Sequence, residues 1–145
     1  MNIVIREFEE KDIDEVIKLW LNGNIEAHSF IPSKYWTDNY DMVKALLPQA
    51  EIYVHENEYT KSVDGFIGLS GNYIEGLFVD SSVQSKGIGK SLLDNAKRKC
   101  PSLKLKAYLK NTRAISFYQR ESFAIQSETI DENTNEIELT MLWDK

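Results

Sequence analysis

Residues 73–93 read YIEGLFVDSSVQSKGIGKSLL. Tyr73 to Val79 reads as a strand, followed by a polar turn, a glycine loop at Gly87 and Gly89, and the opening of a helix. A strand that feeds a glycine-rich loop into a helix builds a phosphate site. The loop N–H groups and the positive end of the helix dipole converge on one spot where an anion sits.

Three motifs compete for this loop. A P-loop, G-x-x-x-x-G-K-[ST], finds its end in Gly89-Lys90-Ser91, but its first glycine falls on Gln84. A dinucleotide fingerprint, G-x-G-x-x-G/A, finds Gly87 and Gly89, but its third small residue falls on Leu92. A side chain of that size holds the helix off the strand. The template [QR]-x-x-G-x-[GA] is matched at every fixed position by Gln84-Ser85-Lys86-Gly87-Ile88-Gly89. After an apolar strand, that template is the acetyl-CoA motif of the GNAT N-acetyltransferase superfamily, which this stretch closely resembles. The plain alternative is a glycine pair that only makes a tight turn before a helix.

Upstream of this stretch, Ile3, Val4 and Ile5 read as a first strand. Asp12 and Glu15 resemble a capping box, and Ile13, Val16, Ile17 and Trp20 recur at helical spacing. Asn22-Gly23 reads as that helix's stop. Ser33 caps a second helix, in which Trp36, Tyr40, Val43 and Leu47 share a face before Pro48. Strands follow at Ile52 to His55 and Gly65 to Ser70, with a polar turn at 56–64 between them. Gly71-Asn72 makes the hairpin into the quoted strand. Downstream, Ile88, Leu92, Leu93 and Ala96 mark the buried face of a third helix. Its tail, Lys97-Arg98-Lys99, suits the negative end of the dipole. Leu103 to Leu109 reads as a strand and Asn111-Thr112 opens a short helix. Phe123 to Ile130 and Glu136 to Trp143 close the chain as a hairpin.

Strand, two helices, three strands, helix, strand, helix, two strands is the GNAT order. A second stretch adds to the resemblance. Asn111, Ala114, Phe117, Tyr118 and Phe123 fit N-x-x-A-x-x-F-Y-x-x-x-G-F, with Ser122 where the family usually has glycine. That position often needs a left-handed backbone, which serine adopts at a cost. Ser81 stands where many members carry proline. The resemblance covers nearly the whole chain and implies one α/β (α+β) domain over residues 1–145. Its sheet would be mixed and mostly antiparallel, of about seven strands with a splayed parallel pair, flanked by about four helices. It also implies an acetyl-CoA-dependent N-acetyltransferase, with acetyl-CoA as co-substrate and an amine attacking it directly in a ternary complex.

The resemblance places the coenzyme's acetyl and pantetheine portion against backbone groups of Leu77, Phe78 and Val79. It places the diphosphate on Gln84, Ser85, Lys86, Gly87, Ile88, Gly89, Lys90 and Ser91, mainly through main-chain N–H groups. Lys86 and Lys90 read equally well as solvated surface charges. Asn111 would contact the pantetheine end, and it is also among the best N-cap residues. Tyr118 is the catalytic candidate, a hydroxyl able to protonate the leaving thiolate; without the motif it reads as a packed aromatic. A backbone N–H near Leu77 and Phe78 would be the oxyanion donor. Glu75 is the candidate base, on one face with Leu77 if no bulge intervenes, and otherwise a surface carboxylate. His28 is a second candidate, as base or substrate contact, with a structural role as the alternative. Phe30, Tyr35 and Trp36 line an acceptor cleft or pack the early helices.

Global properties bound these readings. A chain of 145 residues fits one domain, and 42% apolar residues support a core. The net charge of −6 argues against a nucleic-acid footprint and suits cationic substrates, though it is also ordinary. The one cysteine, Cys100, excludes an intrachain disulfide and reads as structural. His28 and His55 have no metal-ligand spacing, so no metal is expected. The N-terminus lacks a signal-peptide pattern and no apolar run approaches a membrane span of about 20 residues. A cytoplasmic protein, monomer or homodimer, is expected, acting on a small-molecule amine, a protein lysine or a protein N-terminus. A non-catalytic acyl-CoA sensor is the alternative, less suited because a pure binder has no use for Tyr118. An ATP-binding module is disfavoured by Gln84.

Overall fold

The computed structural model describes residues 4–145. A seven-stranded sheet is built from β1 (Val4–Glu7), β2 (Glu51–Glu56), β3 (Val63–Ser70), β4 (Tyr73–Val79), β5 (Ser102–Tyr108), β6 (Ala124–Asp131) and β7 (Glu136–Asp144). Its order is β1-β2-β3-β4-β5-β7-β6. Every neighbouring pair is antiparallel except β4 and β5, which are parallel. The expected mixed, mostly antiparallel architecture is therefore the observed one. Of the first expected strand, Ile3 lies outside the described residues; Val4 and Ile5 belong to β1.

Five α-helices divide between the two faces of the sheet: α1 (Ile13–Ala27), α2 (Ser33–Asp38), α3 (Tyr40–Leu46), α4 (Ile88–Lys99) and α5 (Thr112–Arg120). α4 and α5 cover one face. Ile88, Leu92, Leu93, Ala96, Ile115 and Tyr118 pack there with Ile67, Ile74, Leu103, Leu105 and Met141. α1 covers the other face, where Val16 and Ile17 meet Ile52, Val54 and Phe66. Strand β2 alternates between the two, with Tyr53 in the first cluster and Ile52 and Val54 in the second. Each fully buried aliphatic side chain contributes about 1.5–3 kcal/mol, so both layers are needed to hold the sheet.

The helices on the α1 face differ from the expectation. α1 does not stop at Asn22-Gly23 but continues to Ala27. A Cβ at Gly23 would lie 2.5 Å from Cδ1 of Phe78. The glycine therefore lets the helix close on β4, and this packing overrides an ordinary stop signal. Asp12 and Glu15 do not cap each other. Asp12 is buried, accepts from the Arg6 guanidinium at 2.8 and 2.9 Å, and takes the Glu9 N–H at 2.8 Å. Those bonds hold its carboxyl below the usual range. Glu15 instead accepts the Val63 N–H at 2.8 Å, tying α1 to β3.

The single helix expected after Ser33 is two. It breaks at Asn39, whose side-chain amide donates to the Tyr35 carbonyl at 2.6 Å. Ser33 is the first helical residue behind Pro32 and makes no side-chain cap. On the other face the expected helix boundary and buried set agree with α4. Ser122 has φ 76°, the left-handed backbone its motif position anticipates.

Candidate active site

The sheet is nearly cut in two between β4 and β5. The strands meet at one register position, Tyr73 opposite Lys104. Beside it, the Lys104 N–H donates to the Asn72 carbonyl at 2.9 Å and the Asn72 amide donates to Ser102 Oγ at 3.2 Å. Past this seam β4 stays with β3 and β5 with β7, leaving two facing strand edges without ladder partners.

A bulge accompanies the divergence. Gly76 pairs with Gly68 and Ile74 with Leu69, so Glu75 is one residue too many on β4. A bulge bends its strand and sharpens its twist. It also shifts the alternation: Ile74, Leu77 and Val79 all meet the α4-side core, while Phe78 meets the α1-side core. The strict alternation that would put Glu75 on one face with Leu77 is thus broken. Glu75 is exposed at the cleft instead.

The gap opens into a cleft of about 830 Å³ that reaches both faces of the sheet. One wall is Leu77, Phe78 and Val79 with the loop that follows them. Gln84 ties that loop down, its amide donating to the Val79 carbonyl at 3.1 Å. Ser85 and Gly87 are left-handed, with φ 66° and 86°, and open space surrounds the Cβ position of Gly87. A Cβ at Gly89 would make only ordinary contact, 3.6 Å from Phe117. α4 starts at the cleft, and the N–H groups of its first turn have no intrahelical acceptors.

Of the loop residues, Gln84, Ser85, Gly87, Ile88, Gly89 and Lys90 line the cleft, whereas Lys86 and Ser91 do not. Ser91 faces a separate groove beside Ile5, Asp94 and Arg98. Lys90 is committed to Asp94 at 3.2 Å and Glu121 at 3.1 Å. Cleft cations absent from the sequence-based site are Lys106 and Lys110 on the β5 side and, on α5, Arg113 and Arg120, both arginines exposed and without ion pairs among the described residues. Their helical places, two and nine residues past Asn111, were the available signal.

The opposite wall is α5. Tyr118 lines the cleft and is 8% exposed, its ring between Phe117 at 5.2 Å and Phe123 at 5.4 Å. Burial pushes its hydroxyl above the usual tyrosine range, so the phenol keeps its proton at neutral pH. Asn111 caps α5, its Oδ1 accepting the Ala114 N–H at 3.2 Å. Its amide nitrogen therefore faces His28, 3.2 Å from Nε2. That contact makes Nε2 the acceptor and assigns the imidazole proton to Nδ1.

His28 closes the acceptor side. Burial lowers its pKa from 6.5 to about 4, so the ring is neutral at physiological pH. It stacks on Trp36 at 5.4 Å and meets Tyr108 and Phe30 edge-on at 5.1 and 5.7 Å. Tyr35 and Trp36 belong to this aromatic packing and neither lines the cleft. The Tyr108 hydroxyl donates to Asp131 at 2.7 Å, fastening the last hairpin to β5.

The arrangement offers a slot with free backbone groups on two strands, an anion-binding helix start at one end and a neutral phenol beside the opening. Among the described residues no group of three or more His, Cys, Asp or Glu is placed to hold a metal ion. No helix among them is long and apolar enough to cross a membrane.

Known proteins resemble this chain in sequence and in fold. The chain is 31% identical over 125 residues to the peptidyl-lysine N-acetyltransferase YjaB of Escherichia coli strain K12, covering 86% of this chain and 84% of that protein. It is 33% identical over 124 residues to the peptidyl-lysine N-acetyltransferase YiaC of the same strain, covering 84% of each. The solution structure of apo-form YjaB from Escherichia coli superposes with a TM-score of 0.88 at 28% identity, over 99% of this chain and 98% of that one. The model of the Acetyltransferase (GNAT) family matches residues 13–123. With this match spanning most of the chain, around a gapped sheet and a glycine loop, the chain belongs to the GNAT family of acetyltransferases.

Proposed function

We propose that this protein is an acetyl-CoA-dependent lysine N-acetyltransferase that works by direct attack of the acceptor amine on the thioester. The observation that carries the reading is the β4/β5 gap, open on both faces of the sheet with Tyr118 on one wall. Curated relatives that bear the name peptidyl-lysine N-acetyltransferase direct it to protein lysines as the first acceptors to try.

In this reading the pantetheine arm lies along the open edges of β4 and β5 and bonds to backbone at Leu77, Phe78 and Val79. The diphosphate rests on the start of α4, on N–H groups of Ser85 to Lys90, with Gln84 bracing the loop from behind. Arg113 and Arg120 supply the cationic charge at the mouth, since Lys90 is already neutralised by Asp94 and Glu121. A backbone N–H of the bulged β4 stabilises the oxyanion.

The amine attacks the thioester carbon, the carbon–sulfur bond breaks, and the Tyr118 hydroxyl protonates the departing thiolate. His28 is too weak a base for this work, because its pKa lies near 4. Glu75, exposed at the cleft, takes the acceptor's proton directly or through water. His28 and Asn111 shape the wall between the two substrates. With one free cysteine and no membrane-spanning helix among the described residues, a cytoplasmic setting suits this chemistry.

The test is incubation of the purified protein with acetyl-CoA and a set of lysine peptides, following free thiol and acetylated product together. Thiol release matched to peptide acetylation is the expected result. Tight coenzyme binding with no product across the set would overturn the reading in favour of a sensor.

A further inference from the structure

We propose that Lys106 is an internal acceptor, a side chain that the protein acetylates in its own cleft. The proposal rests on the acetyl-transfer reading above. Three lysines line the cleft: Lys90, Lys106 and Lys110. Lys90 is held by Asp94 and Glu121. Lys110 is held by Glu136 at 3.2 Å and lies over the Phe30 ring at 5.5 Å. Lys106 has neither an ion pair nor a side-chain hydrogen bond among the described residues, and it is exposed.

Its position matters more than its freedom. Lys104 is the β5 residue at the seam, opposite Tyr73. Side chains two apart on a strand share a face, so Lys106 is the first side chain past the seam on that face of β5. On β4, the bulged residue Glu75 follows close behind Tyr73 and also lines the cleft. An unpaired primary amine and a carboxylate thus flank the apex of the gap, where an acetyl group carried between the strands would lie.

A second carboxylate stands close by. Lys106 pairs in register with Thr140 and Tyr108 with Glu138, so Glu138 is the diagonal neighbour of Lys106 on β7. Burial, with the negative charge of Glu75 and Glu138 beside it, pushes the Tyr73 hydroxyl above its usual range. These carboxylates draw the Lys106 ammonium toward the apex, and one of them is available to accept its proton.

The step balances without a further reactant. The Lys106 ammonium first gives one proton to a carboxylate. Its nitrogen then forms a bond to the thioester carbon, the carbon–sulfur bond breaks, and the electron pair leaves on sulfur. Tyr118 protonates the thiolate and is reprotonated by the second proton lost from nitrogen. The products are N-acetyl-Lys106, the free thiol of coenzyme A and one proton released to solvent.

The experiment follows the acetyl stoichiometry of each lysine by peptide mass spectrometry after the full-length protein is mixed with acetyl-CoA. A lysine peptide is present as an internal control. Intramolecular delivery predicts that Lys106 is modified at least about tenfold faster than Lys110, at a rate independent of protein concentration. Tyr118→Phe slows it in step with peptide acetylation, and Lys106→Arg, which keeps the positive charge, removes the signal. An acetylated peptide with Lys106 no faster than Lys110 overturns the proposal and leaves the enzyme reading standing. A Lys106 rate that scales with protein concentration overturns it as well, by showing reaction between molecules. If neither peptide nor Lys106 is acetylated, both readings fall.

Discussion

The two faces of the sheet are built on different principles. Under α4 and α5, the core is continuous and mostly aliphatic, and α4 is an ordinary amphipathic helix whose buried residues recur at helical spacing. Over the other face, α1 reaches β4 only because Gly23 and Gly76 leave room for the Phe78 ring. Beyond it, His28, Trp36, Tyr108 and Phe30 form a polar-edged aromatic stack. The first face is a general support that many side chains share. The second depends on a few close approaches, and it is the face the acceptor would meet. Support tolerates change where packing is redundant, while specificity sits where it is not.

The sharpest way to test this contrast is Tyr118, which belongs to the tolerant face yet lines the cleft. Tyr118→Phe keeps the ring between Phe117 and Phe123 and removes only the hydroxyl. Turnover should fall roughly 10²- to 10⁴-fold, the usual worth of a general acid, with the denaturation midpoint and coenzyme affinity little changed. Stopped assays beside calorimetry give both numbers. Undiminished turnover would remove the hydroxyl from the mechanism.

His28 probes the other face through pH. Its imidazole titrates near 6.5 when unfolded and near 4 when buried. Between those values the unfolded chain binds the extra proton. The His28 contribution is therefore complete above about pH 6.5 and is lost as pH falls toward 4. The difference is worth at most about 3 kcal/mol. In His28→Gln, which can still accept from Asn111, urea midpoints should fall less between pH 7 and 5 than in the parent. An identical fall in the two proteins would mean that the ring is solvated.

Two glycines carry the comparison further. Gly23→Ala should destabilise by about 1–3 kcal/mol through overpacking, although alanine is normally better in a helix by about 1 kcal/mol. The ring's other edge lies close to the backbone of Gly76, where an added Cβ would fall 2.7 Å from it, so the Phe78 ring has little room to retreat. Gly89→Ala should leave stability nearly unchanged and instead raise the KM for acetyl-CoA, since its new methyl makes only ordinary contact with Phe117 and Val79, which line the cleft. Equal melting temperatures for Gly23→Ala and the parent would show that α1 is not tightly seated. The smallest expected effect is Ser122→Gly. It relieves a left-handed serine and should stabilise by about 0.5–1 kcal/mol, read from chemical denaturation.

The same contrast explains what was legible in the sequence. The α4/α5 side follows local rules: period 3.6 in Ile88, Leu92, Leu93 and Ala96, an Asn cap at 111, and glycines spaced for a loop. Even the left-handed turn at Ser122 was visible from its motif position. The α1 side follows tertiary rules. Asn22-Gly23 looks like a helix stop until Phe78, far along the chain, is known to need the space. Asn39 looks like any polar helix residue until its amide takes the Tyr35 carbonyl. The bulge at Glu75 has no local signature either, because it is a mismatch of register between two strands. Tyr35 and Trp36 read as cleft lining or, somewhat more readily, as packing, and the fold turns them into the aromatic stack. Arg113 and Arg120 carried no motif, so their place at the mouth emerged from the geometry of α5.

The lone ladder position between Tyr73 and Lys104 has a consequence for cooperativity. It makes the sheet two half-sheets, β1 to β4 and β5 to β7, that share almost no backbone hydrogen bonds. The halves are coupled through the side chains beneath α4 and α5, so the seam is where local opening costs least. A ligand whose amides bond to both lips adds the missing rungs. Its binding energy would then also count toward folding, by RT ln(1 + [L]/Kd), and such a ligand would act in effect as the strand that makes one sheet out of two.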